Sequence, residues 1–249
     1  MRTLKLEYVP VTSLLASIGA LTALCRINLA FCEQLTVLPD SMGGLTSLEV
    51  LDLSNCQQLT TLLPHTSLGQ WVSLERLTMD WCVAIDELPA SLGQLAALTK
   101  LHLRRCIMLT ALPESIGQLT ALRYLSLQQC WNLTQLPDSF GGLAALADLN
   151  MNNCRALTRL PNSIGQLTAL TELDLSCCAS LTTLPDTVGL LGSLRVLDLR
   201  DLHSLTALPK SAGHMTGLTI FDLDDCYQLP EVFEDWAGSL VSANRQLWT

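Results

Sequence analysis

The chain repeats itself at a fixed period, and that limits it to very few architectures. "LTKLHLRRCIMLTALPESIGQLTA" (98–121) is followed by "LRYLSLQQCWNLTQLPDSFGGLAA" (122–145), "LADLNMNNCRALTRLPNSIGQLTA" (146–169) and "LTELDLSCCASLTTLPDTVGLLGS" (170–193), each starting 24 residues after the last. Further units start at Leu24, Leu48, Leu74, Leu194 and Leu218, and Met1 opens a degenerate one. The unit at Leu48 carries two extra residues near "LLPHTSLG" (62–69). Self-similarity at this period marks a stacked array, because one short unit cannot bury its own apolar face.

Each unit reads L-x-x-L-x-L-x-x-C-x-x-L-T-x-L-P-x-S-x-G-x-L-T-x. The first half alternates with period two, as a short strand with one buried face does. In "KLHLRRC" this sends Leu101 and Leu103 inward and Lys100, His102 and Arg104 outward. The second half sets Pro, Ser and Gly at fixed steps, which suits a tight turn and a helical or 3₁₀ segment returning the chain. The expected fold is α/β: a solenoid with a curved parallel sheet on its concave face and short helical or 3₁₀ segments on its convex face. About ten repeats fill 1–233. The tail 234–249 breaks the pattern, and Trp236, Leu240 and Leu247 are expected to cover the last rung. The first rung has no such cover, which implies a missing N-terminal segment.

The repeat phrase "LxLxxCxxLTxLPxSIGQLTAL" resembles leucine-rich repeat proteins over essentially the whole chain, and is most similar to the repeats of plant intracellular disease-resistance receptors. The resemblance implies that the strands line the inside of an arc where partners bind. Those receptors carry a nucleotide-binding domain ahead of their repeats. No G-x-x-x-x-G-K-[ST] loop occurs here, so their switching and signalling roles do not carry over.

Charge narrows the partner. With 14 Lys plus Arg against 23 Asp plus Glu, the net charge of −9 argues against nucleic acid and against anionic membrane surfaces. No run approaches the roughly 18 apolar residues of a membrane span, and the start lacks a signal peptide's apolar region. A cytoplasmic protein, or a fragment of a longer chain, is expected.

Ten cysteines in a small secreted domain would mean disulfides. Here Cys32, Cys56, Cys82, Cys106, Cys130, Cys154, Cys178 and Cys226 share one step just after the strand. A ladder of buried, reduced thiols is expected. Zinc needs about four converging ligands, and these point the same way, one per rung. Cys25 and Cys177 stand off the ladder, and Cys177 is expected to be the reactive thiol.

His65, His102, His203 and His214 fall in different units, and no G-x-S-x-G, H-E-x-x-H or C-x-x-C motif occurs. No catalytic residue, metal or cofactor is expected. Function then lies in the outward places of each unit: the third, fifth, seventh and eighth. Early units place Tyr8, Arg26, Phe31, Asn55, Arg76 and Trp81 there; the middle places Lys100, His102, Arg104, Arg105 and Tyr124. Later units place Asp148, Glu172, Asp174, Asp198, Asp201, Asp222, Asp224 and Asp225. Arg76, Trp81, Lys100, His102, Arg104, Arg105 and Tyr124, extended along the rim by Trp131, form the expected binding patch for a protein or peptide with an anionic surface. Arg, Trp and Tyr are the residues enriched at interface hot spots. The alternative is a structural scaffold whose outward charges only keep an open sheet soluble.

Overall fold

The computed structural model describes residues 1–63 and 68–229. His65, part of the insertion, the last rung's end from 230 to 233 and the expected capping segment 234–249 lie outside the described residues. Ten strands pair in parallel and in chain order. They are β1 (Thr3–Lys5), β2 (Arg26–Asn28), β3 (Val50–Asp52), β4 (Arg76–Thr78), β5 (Lys100–His102), β6 (Tyr124–Ser126), β7 (Asp148–Asn150), β8 (Glu172–Asp174), β9 (Val196–Asp198) and β10 (Ile220–Asp222). Equal places stack without slippage: Leu77 faces Leu101, which faces Leu125, Leu149 and Leu173 in turn. The period of the leucines fixes this register, since a one-residue slip would turn every inward leucine to solvent.

Leu101, Leu103, Leu125 and Leu127 are completely buried, and one continuous apolar core runs from Ile18 to Leu218. Removing each such leucine from water contributes about 1.5–3 kcal/mol. The insertion of the third unit coincides with a larger core residue. Trp71 takes the place of a repeat leucine, is fully buried and donates its indole N–H to the Met42 carbonyl at 2.7 Å.

After each strand the eighth place turns the chain left-handed. Ten residues there, none a glycine, have φ between 57 and 64°. In the first nine of these rungs the amide donates to the seventh-place carbonyl of the next rung, as Trp81 does to Arg104 at 2.7 Å and Arg105 to Gln128 at 2.8 Å. The cysteine column follows. Each thiol donates to a carbonyl one rung back, Cys106 to Met79 at 3.2 Å and Cys130 to Leu103 at 3.1 Å. All ten cysteines are free thiols, and burial pushes Cys56 and Cys130 up to about 12. The ladder is apolar packing with a weak directed bond.

The eight convex segments that lie wholly within the described residues are all 3₁₀, from Ala16–Ala20 to Lys210–His214. Proline with φ near −70° precedes seven of them and sets the turn's entry. No glycine among the described residues has positive φ, so the role of those inside the segments is close approach. A Cβ on Gly117 would lie 2.1 Å from the Ser139 carbonyl oxygen, and one on Gly165 2.4 Å from that of Thr187. Glycine of one rung thus seats the small hydroxyl residue of the next. The hydroxyls of Ser139 and Ser211 bond to carbonyls of the preceding rung, whereas those of Ser91, Ser115 and Ser163 find no partner among the described residues. Small size is what this column shares.

Candidate partner interface

In-register parallel pairing turns each outward place into a column with rungs about 4.8 Å apart. The third-place column runs Arg26, Val50, Arg76, Lys100, Tyr124, Asp148, Glu172. The fifth-place column runs Asn28, Asp52, Thr78, His102, Ser126, Asn150, Asp174, Asp198, Asp222. Charge is therefore sorted along the sheet face, from mixed through basic to acidic.

Rungs four to six hold the expected patch. Arg76 and Lys100 are exposed neighbours, and Tyr124 follows them in the same column. His102 packs its ring on that of Tyr124 at 4.8 Å. Burial lowers its pKa against the opposing pull of Asp80, so the imidazole is neutral at physiological pH. Arg104 is exposed, and its backbone N–H donates to Asp80 Oδ1 at 2.8 Å. Arg105 is half-buried. Its guanidinium lies 3.9 Å from the centre of the Trp81 ring, and its Nε donates to Gln129. The third and seventh places are on the order of 13 Å apart along a strand. Arg76, Lys100, His102 and Tyr124 thus form one group, Trp81 and Arg105 another, and Arg104 lies between. Trp131 sits beyond the cysteine column and pairs with Arg155 of the next rung, 5.2 Å from its ring centre. Among the described residues no hydrogen bond, ring stacking or cation–π pair joins it to the other seven.

Outward-place reading overlooked three carboxylates. Glu7, Asp52 and Asp80 line a hollow of about 440 Å³ over rungs one to four, together with Tyr8, Phe31 and Trp81. The signal was present, because Asp52 holds the fifth place of its unit and Glu7 and Asp80 the seventh. Tyr8 and Phe31 stack at 4.5 Å with their planes 12° apart. Asp52 accepts bonds from the Ser54 amide at 2.9 Å and hydroxyl at 2.6 Å, and Glu7 accepts one from Asn28. Burial raises the pKa of Asp80, while its bond from the Arg104 amide opposes the rise.

Rungs seven to ten are acidic. Burial first, and neighbouring carboxylates second, raise the pKa of Asp148. Burial likewise raises that of Asp174, although two bonds from Ser176 and the charge of Arg200 oppose it. Arg200 spans the column, 2.6 Å from Asp198 and 3.4 Å from Asp222, and these are the only ion pairs among the described residues. No group of three or more His, Cys, Asp or Glu side chains there is placed to hold a metal ion. Cys177 is more accessible than most of the ladder thiols, and burial and Asp201, whose carboxylate accepts from the thiol at 3.6 Å, push its pKa up. No helix among the described residues is long and apolar enough to cross a membrane.

A family model described as "Leucine-rich repeat region" matches residues 89–182, and one described as "Leucine Rich Repeat" matches 47–69. No curated protein sequence matches the chain. Among solved structures, the leucine-rich repeat domain of the type III effector XopL is 28% identical with a TM-score of 0.64, over 92% of this chain and 71% of that one. Toll in the glycosylated Toll–Spätzle complex of Drosophila is 24% identical with a TM-score of 0.74, over 90% of this chain and 31% of that one. The Arabidopsis receptor kinase HAESA, solved with the peptide hormone IDA and the co-receptor SERK1, is 20% identical with a TM-score of 0.52, over 90% and 46%. The chain spans less than half of either receptor, and those two likenesses concern the fold alone. By its repeat and its in-register sheet the chain has the leucine-rich repeat fold, and leucine-rich repeat family models match residues 47–69 and 89–182 of it.

Proposed function

We propose that the sheet face of rungs four to six recognises a protein or peptide with an anionic surface. One observation carries this reading. Arg76, Lys100 and Arg104 are solvent-exposed cations of an acidic protein, and none is engaged in an ion pair among the described residues. Uncommitted cations beside Tyr124 and the Trp81–Arg105 pair supply charge for steering and aromatic surface for anchoring. HAESA is solved with a peptide hormone and Toll in a complex with Spätzle, which supports recognition as the use of such a scaffold. The repeat phrase supports a finer role, as the sensing region of a plant intracellular immune receptor; a gene with a nucleotide-binding domain upstream of these repeats would bear that role out.

The test is capture from a lysate of the source organism with wild type and with Lys100→Glu plus Arg104→Glu. Both side chains are exposed, so the variant should fold normally. Loss of the wild-type partners, and their release from wild type by rising salt, is the expected result. Capture of the same partners by the variant would reduce these charges to solubility devices.

A further inference from the structure

The hollow over rungs one to four has the opposite character to the basic rungs beside it. Three carboxylates, Glu7, Asp52 and Asp80, converge on it, and none makes an ion pair among the described residues. Arg104, next to Asp80 in the seventh-place column, opposes the rise that burial causes in the pKa of Asp80, yet neither it nor Lys5 or Arg26 makes an ion pair with any of the three. One oxygen each of Asp52 and Asp80 accepts bonds from the chain, which fixes the carboxylate planes and leaves the second oxygen for an outside donor. Concentrated negative charge held in no ion pair is half of a complementary pair.

The aromatic residues show which cation fits. Tyr8 is 69% exposed and Phe31 37% exposed, and both stand at the left-handed eighth place. Asn or Asp adopts that conformation more readily than a bulky ring does, and Asn55, Asn153, Asp201 and Asp225 occupy it in other rungs. Stability therefore gives no reason for two stacked, solvent-facing rings at this step. The chain itself shows what such a ring can hold, since Arg105 lays its guanidinium over Trp81 at 3.9 Å. Arg105 reaches that ring from rung five, and the hollow opens on the side of rungs one to four. A planar guanidinium stacks on aromatic rings and carries donors on three nitrogens, so it can reach the free oxygens of two carboxylates while it lies on a ring, whereas an ammonium has no planar face to stack.

We propose that this hollow is a pocket for an arginine side chain of a bound polypeptide, with the Tyr8–Phe31 pair and Trp81 as its walls and Asp52 and Asp80 as its counter-charge. The basic rungs begin at Arg76, next to the pocket, so the matching ligand carries mixed charge: an arginine for the hollow and acidic residues for Lys100 and Arg104. The proposal rests on the sheet face being a recognition surface, but not on the basic rungs.

The probes are blocked Gly-Arg-Gly, Gly-Lys-Gly and Gly-citrulline-Gly peptides, citrulline being the uncharged isostere of arginine. Each is titrated into ¹⁵N-labelled protein while the Trp81 indole resonance, assigned with Trp81→Phe, is followed. The arginine peptide should shift it saturably, with at least fivefold weaker binding of lysine and no binding of citrulline. Asp52→Asn with Asp80→Asn should weaken the arginine peptide at least tenfold, and Asn still accepts the Ser54 and Arg104 amide bonds. Tyr8→Ala with Phe31→Ala removes only exposed rings and should weaken it at least threefold, which keeps the test valid if the first variant misfolds. Asp174→Asn with Asp198→Asn, on the other acidic stretch, should change it less than twofold. Equal binding of arginine and citrulline, no saturable shift, undiminished binding by either hollow variant, or loss in the distant variant would each overturn the pocket. Lys100→Glu, at the third place of rung five and outside the hollow's lining, should change this titration less than twofold, so the pocket and the basic patch fail separately.

Discussion

The glycine column of the convex side and the fifth-place column of the sheet face are built by the same stacking and behave oppositely in sequence. Gly93, Gly117, Gly141, Gly165 and Gly189 are the same residue rung after rung, because a Cβ at any of them would meet the next rung's Ser or Thr at 2.1–2.5 Å. The fifth place passes through Asn28, Asp52, Thr78, His102 and Asp174, because its side chains lie on the sheet face, part-exposed and beside one another. Where the solenoid is close-packed the sequence has one solution. Where it is open, the fold tolerates any residue, and what stands there carries the chemistry.

The comparison breaks if the interior is tolerant. Leu125 is completely buried between Leu101 and Leu149, so Leu125→Ala should lower stability by about 2–5 kcal/mol in chemical denaturation. A loss below about 1 kcal/mol would mean that neighbouring rungs collapse into the space.

A sharper version uses glycines alone. Gly117→Ala forces a methyl group against the Ser139 backbone and should cost about 1–3 kcal/mol. A Cβ on Gly192 would meet nothing within 4 Å, and its φ is not positive, so Gly192→Ala should be neutral or stabilising by up to about 1 kcal/mol. Similar losses at both sites would show that the glycines serve chain flexibility rather than close approach.

This contrast also explains what was legible in the sequence. Leu101, Gly117 and Cys106 each sit at a step where one packing demand recurs in every rung, so strand register, inward leucines and the thiol ladder could be read from the letters. The outward places could be assigned to a face, which put Arg76, Lys100 and Tyr124 in one column. Their partners could not be read. That Arg105 would fold onto Trp81, that Trp131 would pair with Arg155, and that Arg200 would bridge Asp198 and Asp222 depends on rotamers chosen among solvent-facing alternatives. Cys177 illustrates the same limit, since the acceptor of its thiol, Asp201, lies one rung away.

Acidity distinguishes the two ends of the sheet face. Asp148 and Asp174 have raised pKa values in the folded state, so their contribution to stability is present below the unfolded carboxylate value and is lost as pH rises through the folded one. At pH 7 both are charged against their surroundings. Asp148→Asn with Asp174→Asn should therefore melt higher than wild type at pH 7, and the gap should close as pH falls toward 4. His102 has the opposite sign: its lowered pKa gives stability present above about pH 6.5 and lost as pH falls through the folded value. His102→Gln should narrow the wild-type advantage between pH 7 and pH 5. Thermal melts of the two variants across this range separate the acidic stretch from the basic one, and parallel curves for both would refute the assignment.

The smallest expected effect separates two neighbours. Arg104 and Arg105 are adjacent in sequence and differ in environment, the first exposed with only its backbone engaged, the second half-buried on Trp81 and bonded to Gln129. Arg104→Ala breaks no side-chain hydrogen bond or ion pair among the described residues and should change stability by less than about 0.5 kcal/mol. Arg105→Ala uncovers the indole and should cost about 0.5–1 kcal/mol, the range for a partly exposed cation–π pair. Arg105→Lys should recover only part of that, because an ammonium lacks the planar face that lies on the ring. Indistinguishable midpoints for the two alanine variants would mean that the Trp81–Arg105 contact adds nothing to the fold and that both arginines are equally available to a partner.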